Sequence, residues 1–115
     1  MASLSIRIDL EGGGRIGPGK MRLLKAVAEA GSISAAGRAL GMSYRRAWSL
    51  VAELNALFDA PLVETAAGGA QGGGATLTDL GRRVLAACEA VQAAASAGAV
   101  AALAELDAQR GLRKR

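Results

Sequence analysis

The chain has 115 residues, a net charge of +4 at pH 7 and a sequence pI near 10.0. This length predicts one small domain, residues 1–115, and is short for an enzyme with several substrates. One cysteine and no histidine exclude an intrachain disulfide, a zinc finger and a histidine-based catalytic or metal site. We therefore expect no enzyme activity, no catalytic residues, no cofactor and no metal, while the basic charge suits an anionic partner.

No part of the sequence is expected to enter a membrane. The first ten residues alternate polar with apolar side chains, unlike the uninterrupted apolar run of a signal peptide. The longest uncharged stretch, residues 90–104, is shorter than a membrane span. These features predict a cytoplasmic protein without a membrane partner.

The N-terminal third predicts a strand, a loop and a helix. Apolar residues alternate over 3–10 and predict a strand with one buried face. The glycines of residues 12–19 predict a loop without regular structure. Over residues 20–30 helical spacing predicts a helix, whose inward residues are Met21, Leu24, Val27 and Ala28.

The loop from Gly14 to Lys20 also invites an alternative, a nucleotide-binding site. It is one residue short of a phosphate-binding loop, and Met21 stands where such a loop needs serine or threonine to hold magnesium. The segments that follow are helical or rich in turns, so no second parallel strand is expected. Nucleotide binding is therefore the least favoured function.

Residues 33–58 predict a helix-turn-helix. Gly41 can adopt a positive φ between the two helices, and Gly37 allows the helices to approach closely. Ser32 and Ser43 stand at the two N-cap positions. The second helix then buries residues at three- and four-residue spacing, as a recognition helix does.

The predicted DNA contacts lie on the outward side of this motif. Residues 30–52 contain arginines but no acidic residue, so a phosphate would meet no repulsion there. Backbone amides at the start of each motif helix are expected to bind phosphate. The contact residues in the motif are Ser32, Ser34, Ser43, Tyr44, Arg45, Arg46 and Ser49.

Residues 62–77 predict a glycine-rich wing. Strand patterns at 62–65 and 75–77 flank a run that contains six glycines or alanines between Gly68 and Gly74. We expect the wing tip to contact the DNA backbone or minor groove through Gly72 and Gly73. A linker without regular structure is the alternative.

Residues 78–109 predict a long C-terminal helix, capped by Thr78 with Asp79 in its first turn. Its apolar stripe is longer than a domain of this size can cover, which predicts a homodimer. Cys88 is expected to be a core residue. The stripe residues are Leu80, Val84, Cys88, Val91, Ala95, Val100, Leu103 and Leu106.

Several of these segments resemble the N-terminal DNA-binding domain of molybdate-responsive transcriptional regulators, the ModE family, with wider kinship to LysR-type winged helices. The resemblance runs from about residue 4 to residue 85. The segments that carry it are Gly31–Ser34, Gly41–Trp48, Leu62–Glu64, Gly68–Gly69, Gly72–Gly74, Leu77–Thr78 and Gly81.

The resemblance implies a dimeric regulator that binds a palindromic operator. It places residues 43–46 and 49 in the major groove and residues 68–74 at the wing tip. Trp48 is either a half-buried framework residue or a DNA contact. The family also carries C-terminal molybdate-binding domains, and we expect this chain, which ends at Arg115, to lack them. Either a partner protein supplies effector sensing or the protein is not gated by an effector.

Together these features predict a mainly α fold with small antiparallel β, a winged helix-turn-helix with a long C-terminal dimerisation helix. The predicted function is sequence-specific binding of duplex DNA in transcription regulation. The alternatives are a protein-interaction winged helix acting through the C-terminal helix and, least favoured, nucleotide binding at Gly14–Lys20.

Overall fold

The computed structural model of the protein describes residues 1–66 and 73–113. Within them lie two small antiparallel sheets and four helices, so the predicted mainly α fold with small antiparallel β is confirmed. The elements in chain order are β1 (Ile8–Asp9), β2 (Arg15–Ile16), α1 (Pro18–Ala30), α2 (Ile33–Ala39), α3 (Tyr44–Ala56), β3 (Val63–Thr65), β4 (Ala75–Leu77) and α4 (Asp79–Arg113).

Helices α1, α2 and α3 enclose the main core, which the two strands of the wing complete. Each helix contributes residues at helical spacing because its apolar stripe can be covered only by the other two. Ala28, expected to point inward, is exposed, and Leu23 and Ala26 are buried instead. The buried members include Leu23, Leu24, Val27, Ile33, Ala36, Ala47, Leu50, Val51, Leu54 and Leu62.

The turn between α2 and α3 depends on two glycines. Gly41 has φ +70°, a conformation that other residues rarely adopt. A Cβ on Gly37 would lie 3.0 Å from the Cβ of Ala47, so the two helices approach too closely for a larger side chain. The Met42 amide donates a 2.8 Å hydrogen bond to the Gly37 carbonyl and closes the turn.

Two side chains attach the wing to the helices: Asn55 near the end of α3 and Thr78 just before α4. The Asn55 carboxamide oxygen accepts hydrogen bonds from the amides of Leu62 (2.9 Å) and Val63 (3.0 Å). The Thr78 hydroxyl donates to the Pro61 carbonyl at 2.8 Å and accepts from the Gly81 amide at 2.9 Å, so it also caps α4. These bonds set the direction in which β3 leaves the core and β4 returns to it.

The N-terminal region differs from its predicted form. The predicted strand over 3–10 has ladder pairing only at Ile8–Asp9, opposite β2, which lies inside the segment expected to be irregular. Strand β1 is short because its partner strand, β2, has only two residues between flanking glycines. Helix α1 begins at Pro18, earlier than residue 20, because the fixed φ of proline suits the first turn of a helix.

The alternation of the first ten residues is nevertheless meaningful. The even-numbered side chains are half-buried and the odd-numbered ones are exposed. Ile6, Ile8 and Leu10 pack on a second cluster formed by Ile16, Met21 and Cys88. Farther out, the Ala2 amide donates a 2.7 Å hydrogen bond to the Asp107 carboxylate. The N-terminal segment therefore lies along α4 in the opposite direction.

Helix α4 has 35 residues and, at 1.5 Å per residue, is about 52 Å long. It continues past the predicted end at residue 109, and it contains Gly98 without a break. The part of α4 from Asp79 to Gly111 is long and apolar enough to cross a membrane. Length and composition alone are weak evidence for a membrane span. The same composition occurs in helices that pack against a partner protein.

Candidate nucleic-acid interface

Helix α3 is held by one side and exposes the other. Ala47, Leu50, Val51 and Leu54 are buried in the main core. All five α3-region contacts predicted from the sequence are exposed, and they are Ser43, Tyr44, Arg45, Arg46 and Ser49. The structure therefore brings them together on one surface.

The helical period separates these residues into three groups. At about 100° per residue, Arg45 and Ser49 lie directly opposite the buried stripe. Tyr44 and Trp48 lie on the flank that borders the wing, and Arg46 lies on the other flank. A groove floor would therefore meet Arg45 and Ser49 first.

Serine side chains at both helix starts act as caps. The Ser32 hydroxyl accepts a 3.0 Å hydrogen bond from the Ala35 amide, and the Ser43 hydroxyl accepts a 3.1 Å bond from the Arg46 amide. Both predicted N-caps are thus confirmed. A hydroxyl that accepts in this way still has its own hydrogen to donate, and a phosphate oxygen is a suitable acceptor.

Ser34 acts through Arg38. Its hydroxyl accepts a 3.0 Å hydrogen bond from the Arg38 guanidinium. Arg38 is exposed and carries the charge of α2 on the surface next to α3. The pair gives this surface an oriented cation.

The wing is a hairpin closed by backbone hydrogen bonds. Val63, Glu64 and Thr65 pair with Leu77, Thr76 and Ala75, and the Ala66 amide donates to the Gly74 carbonyl at 2.9 Å. The Ala75 amide donates to the Gly31 carbonyl at 2.8 Å, which joins the wing to the start of the helix-turn-helix. Gly73 is exposed, whereas residues 68–72 of the expected wing tip, Gly72 among them, lie outside the described residues.

An open groove of about 690 Å³ lies between α2, α3 and the wing. Among the described residues that line it, Arg38 is the only charged one. The others supply hydroxyls, backbone groups and two aromatic rings. The lining residues are Ser32, Ile33, Ser34, Arg38, Tyr44, Trp48, Thr65, Ala66, Gly73, Gly74 and Ala75.

This arrangement of two capped helices and a hairpin matches a known family. The family model of bacterial regulatory helix-turn-helix proteins, lysR family, covers residues 19–82, which is more than half of the chain and includes the whole interface. The chain belongs to this family. It therefore carries the helix-turn-helix domain of bacterial regulatory proteins, and the family is not one of enzymes.

Curated relatives narrow the comparison to molybdenum-related proteins. The chain is 43% identical over 82 residues to the molybdenum-pterin-binding protein MopA of Rhodobacter capsulatus, covering 71% of this chain and 31% of the relative. It is 40% identical over 85 residues to the molybdenum transport protein ModE of Azotobacter vinelandii, covering 74% and 32%.

A third relative is named as a regulator. The chain is 46% identical over 68 residues to the DNA-binding transcriptional dual regulator ModE of Escherichia coli (strain K12), covering 59% of this chain and 26% of the relative. The chain thus spans less than a third of the length of these relatives. The predicted resemblance to ModE-type N-terminal regions is confirmed.

Seven residues that line the groove were not among the predicted contacts, and Arg38, Trp48, Thr65 and Ala66 are the ones whose side chains could most readily have been predicted from the sequence. Arg38 was counted in the acid-free span but not as a contact, and Thr65 and Ala66 were assigned only to the wing. Trp48, expected to be either a half-buried framework residue or a DNA contact, is 40% exposed and lines the groove. The sequence signal for Trp48 was its position one helical turn after Tyr44.

The geometry argues against a phosphate-binding loop at Gly14–Lys20. The Lys20 ammonium donates a 3.0 Å hydrogen bond to the Arg15 carbonyl and lies 3.5 Å from the Glu53 carboxylate. Its side chain is 15% exposed. Strand β2 pairs antiparallel with β1, whereas a phosphate-binding loop follows a parallel strand. The lysine is occupied in holding α1 to α3.

Cys88 is a free, buried cysteine. Burial raises the pKa of its thiol above the ordinary value, and the negative charge of Glu89 raises it further. The thiol is therefore protonated at neutral pH and serves as a small apolar side chain. Over residues 1–66 and 73–113, no group of three or more metal-ligating side chains lies together.

Proposed function

We propose that the protein regulates transcription as a homodimer that binds a specific, palindromic site in duplex DNA. The observation that carries this proposal is the exposed side of α3, where Arg45, Arg46 and Ser49 stand within a stretch, residues 30–52, that contains no acidic residue. The core holds the opposite side of the helix rigidly, so the contact residues need little ordering on binding.

Phosphate contacts set the position of the protein on the duplex. The capping hydroxyls of Ser32 and Ser43, the amides at the start of α3 and the guanidinium of Arg38 supply them. These groups lie near the N-terminus of α3 and along the groove between α2, α3 and the wing. Gly73 at the described base of the wing allows close approach of a sugar-phosphate backbone.

Base readout then falls to Arg45 and Ser49. A recognition helix contacts base edges with residues near its N-terminus, and Arg45 is the second residue of α3. An arginine can donate two hydrogen bonds to O6 and N7 of guanine. We assign a guanine contact to Arg45 because it points directly away from the core.

The dimer is proposed from α4. Its distal half exposes apolar side chains, with Val91 47%, Val100 65% and Leu106 62% exposed. Val91 and Leu106 lie on one side of the helix, and a second copy of α4 packed along that side would remove both from water. Two recognition helices would then face two half-sites, which is why a palindrome is proposed.

Effector sensing is assigned to a separate unit. The names of the relatives refer to molybdenum, but the chain matches only about a third of their length. We propose that this chain supplies the DNA-reading step of a cytoplasmic, molybdate-linked response. A partner protein or a region outside residues 1–115 would supply the sensing.

Selection of bound sequences from random duplex DNA by the purified protein tests the proposal. The expected result is a palindrome whose half-sites lie about one helical turn apart. Recovery of a single half-site would overturn the dimer, and recovery of no consensus would overturn sequence-specific binding.

The second candidate function is a protein-interaction module, and the exposed stripe of α4 favours it. Salt separates the two candidates. DNA binding that neutralises phosphates weakens steeply as salt rises, with a slope of about −0.9 per phosphate contact in a log–log plot. Weak DNA binding with a flat slope would favour the interaction module.

A further inference from the structure

Two of the three aromatic residues of the chain stand together on the DNA-reading helix. Tyr44 is the first residue of α3, and Trp48 follows one turn later. Their ring centroids lie 6.0 Å apart at an interplanar angle of 62°, an edge-to-face arrangement. Tyr44 is 62% exposed and Trp48 is 40% exposed, so the chain leaves both rings at the surface while its core is filled with small aliphatic residues.

The surroundings of the pair identify the kind of partner that fits it. Both rings line the groove between α2, α3 and the wing, where Arg38 is the only charged residue among those described. Ser34 holds the Arg38 guanidinium. An apolar surface beside a fixed cation is suited to a ligand that has both an anionic backbone and an apolar group.

Duplex DNA has one such apolar group in its major groove. The 5-methyl group of thymine projects there, and apolar side chains recognise it by contact. Because the first residues of a recognition helix reach the base edges, Tyr44 is placed closer to the groove floor than Trp48. Trp48 is placed to restrict the Tyr44 ring through their edge-to-face contact.

We propose that the Tyr44 ring recognises the 5-methyl group of a thymine in each half-site, and that Trp48 is a positioning residue that holds this ring. The inference rests on the proposed function and adds the base that the wing-side flank of α3 reads. Arg45 and Ser49 read the polar edges beside it. The protein thus distinguishes thymine by an apolar contact on one flank of the helix.

Replacement of thymine by deoxyuridine removes only the methyl group and provides the test. Each thymine of the selected site is replaced singly, and affinity is measured by fluorescence anisotropy. The wild-type protein is expected to lose about fourfold in affinity at one position of each half-site, the value that burial of one methyl group gives. At the other thymines little change is expected.

Variants assign this loss to its residues. In Tyr44→Ala the ratio of thymine to uracil affinity at that position should fall to about one, and Tyr44→Phe should keep the wild-type ratio because the ring remains. Ser49→Ala, the matched control on the same helix, should weaken binding and keep the ratio. Circular dichroism verifies that all variants are folded.

Trp48→Ala should lower the ratio, whereas Trp48→Phe should keep most of it. In the Tyr44→Ala background, Trp48→Ala should cause no further change in the ratio, because it acts through Tyr44. A purely structural effect of Trp48 would instead weaken thymine and uracil sites equally.

The outcomes separate the inference from the function on which it rests. If the wild-type protein selects a site but tolerates every deoxyuridine, or if Tyr44→Ala keeps the ratio, the thymine contact is overturned and DNA binding stands. If no site is selected, the proposed function itself fails.

Discussion

Apolar side chains are buried in the helix-turn-helix half of the molecule and exposed in the distal half of α4. In the first half, Leu24, Val27 and Leu54 are almost completely buried among α1, α2 and α3, and polar residues form the exposed side of α3. In distal α4, Val100 and Leu106 are exposed. Under the proposed function, the exposed surface of each half binds a different partner: the α3 surface binds DNA and the distal α4 surface binds a second copy.

The largest expected effect is the loss of stability when a buried residue of the main core is truncated. Leu54→Ala should lower the free energy of unfolding by about 2–5 kcal/mol, because it leaves a cavity among three helices. Thermal or urea unfolding followed by circular dichroism measures it. Leu106→Ala, at an exposed site, should change monomer stability by less than about 0.5 kcal/mol. Equal losses in both variants would contradict the division into two halves.

A charge in distal α4 tests the proposed dimer. Leu106→Glu should shift the protein toward monomer, with dimerisation weakened a hundredfold or more, on the order of 3 kcal/mol, because an unpaired charge would be buried in the interface. Sedimentation equilibrium measures it. The circular dichroism of the helix-turn-helix half should stay unchanged. A variant that remains dimeric at wild-type affinity would place the dimer interface elsewhere.

Substitution of two glycines of α4 compares the part of the helix that packs on the core with the part that is exposed. A Cβ on Gly81 would lie 2.1 Å from the Leu62 carbonyl oxygen, so Gly81→Ala should destabilise by about 1–3 kcal/mol. Gly98 has no such neighbour within 4 Å, so Gly98→Ala should stabilise by up to about 1 kcal/mol through helix propensity. Thermal unfolding of the two variants checks the opposite signs. Destabilisation by Gly98→Ala would show that distal α4 is covered closely there.

Substitution of two arginines distinguishes base readout from contact with the DNA backbone. Arg45→Ala should weaken binding to the selected site by about 1–3 kcal/mol and relax preference at one position. Arg83→Ala, at an exposed residue beyond the motif, should weaken binding on all sequences and lower the salt slope by about one. Mobility shifts on specific and scrambled duplexes measure both. Unchanged preference in Arg45→Ala would remove this residue from base readout.

Arg82, the residue before Arg83, has partners within the protein. Its guanidinium donates a 2.8 Å hydrogen bond to the Leu77 carbonyl and pairs with Asp79. Arg82→Ala would therefore also disturb the junction of β4 and α4. Arg83 is the cleaner probe of the two.

Local patterns predicted most of the helical framework. Ser32, Ser43 and Thr78 were identified as caps because a cap depends on residues within one turn of itself. The turn at Gly41 and the buried side of α3 follow from spacing in the same way. The two wing strands were predicted at 62–65 and 75–77, but their register was not, since hairpin pairing joins residues ten or more apart.

By itself, the amino-acid order determined which segments become helices, where they are capped, and that residues 30–52 carry arginines but no acidic residue, because these properties arise within a few residues. Tertiary structure alone decided that Lys20 pairs with Glu53, that the N-terminal segment lies along α4, and that the aromatic pair faces the wing. Those outcomes depend on contacts between distant residues, and their geometry exists only after the core has oriented the helices.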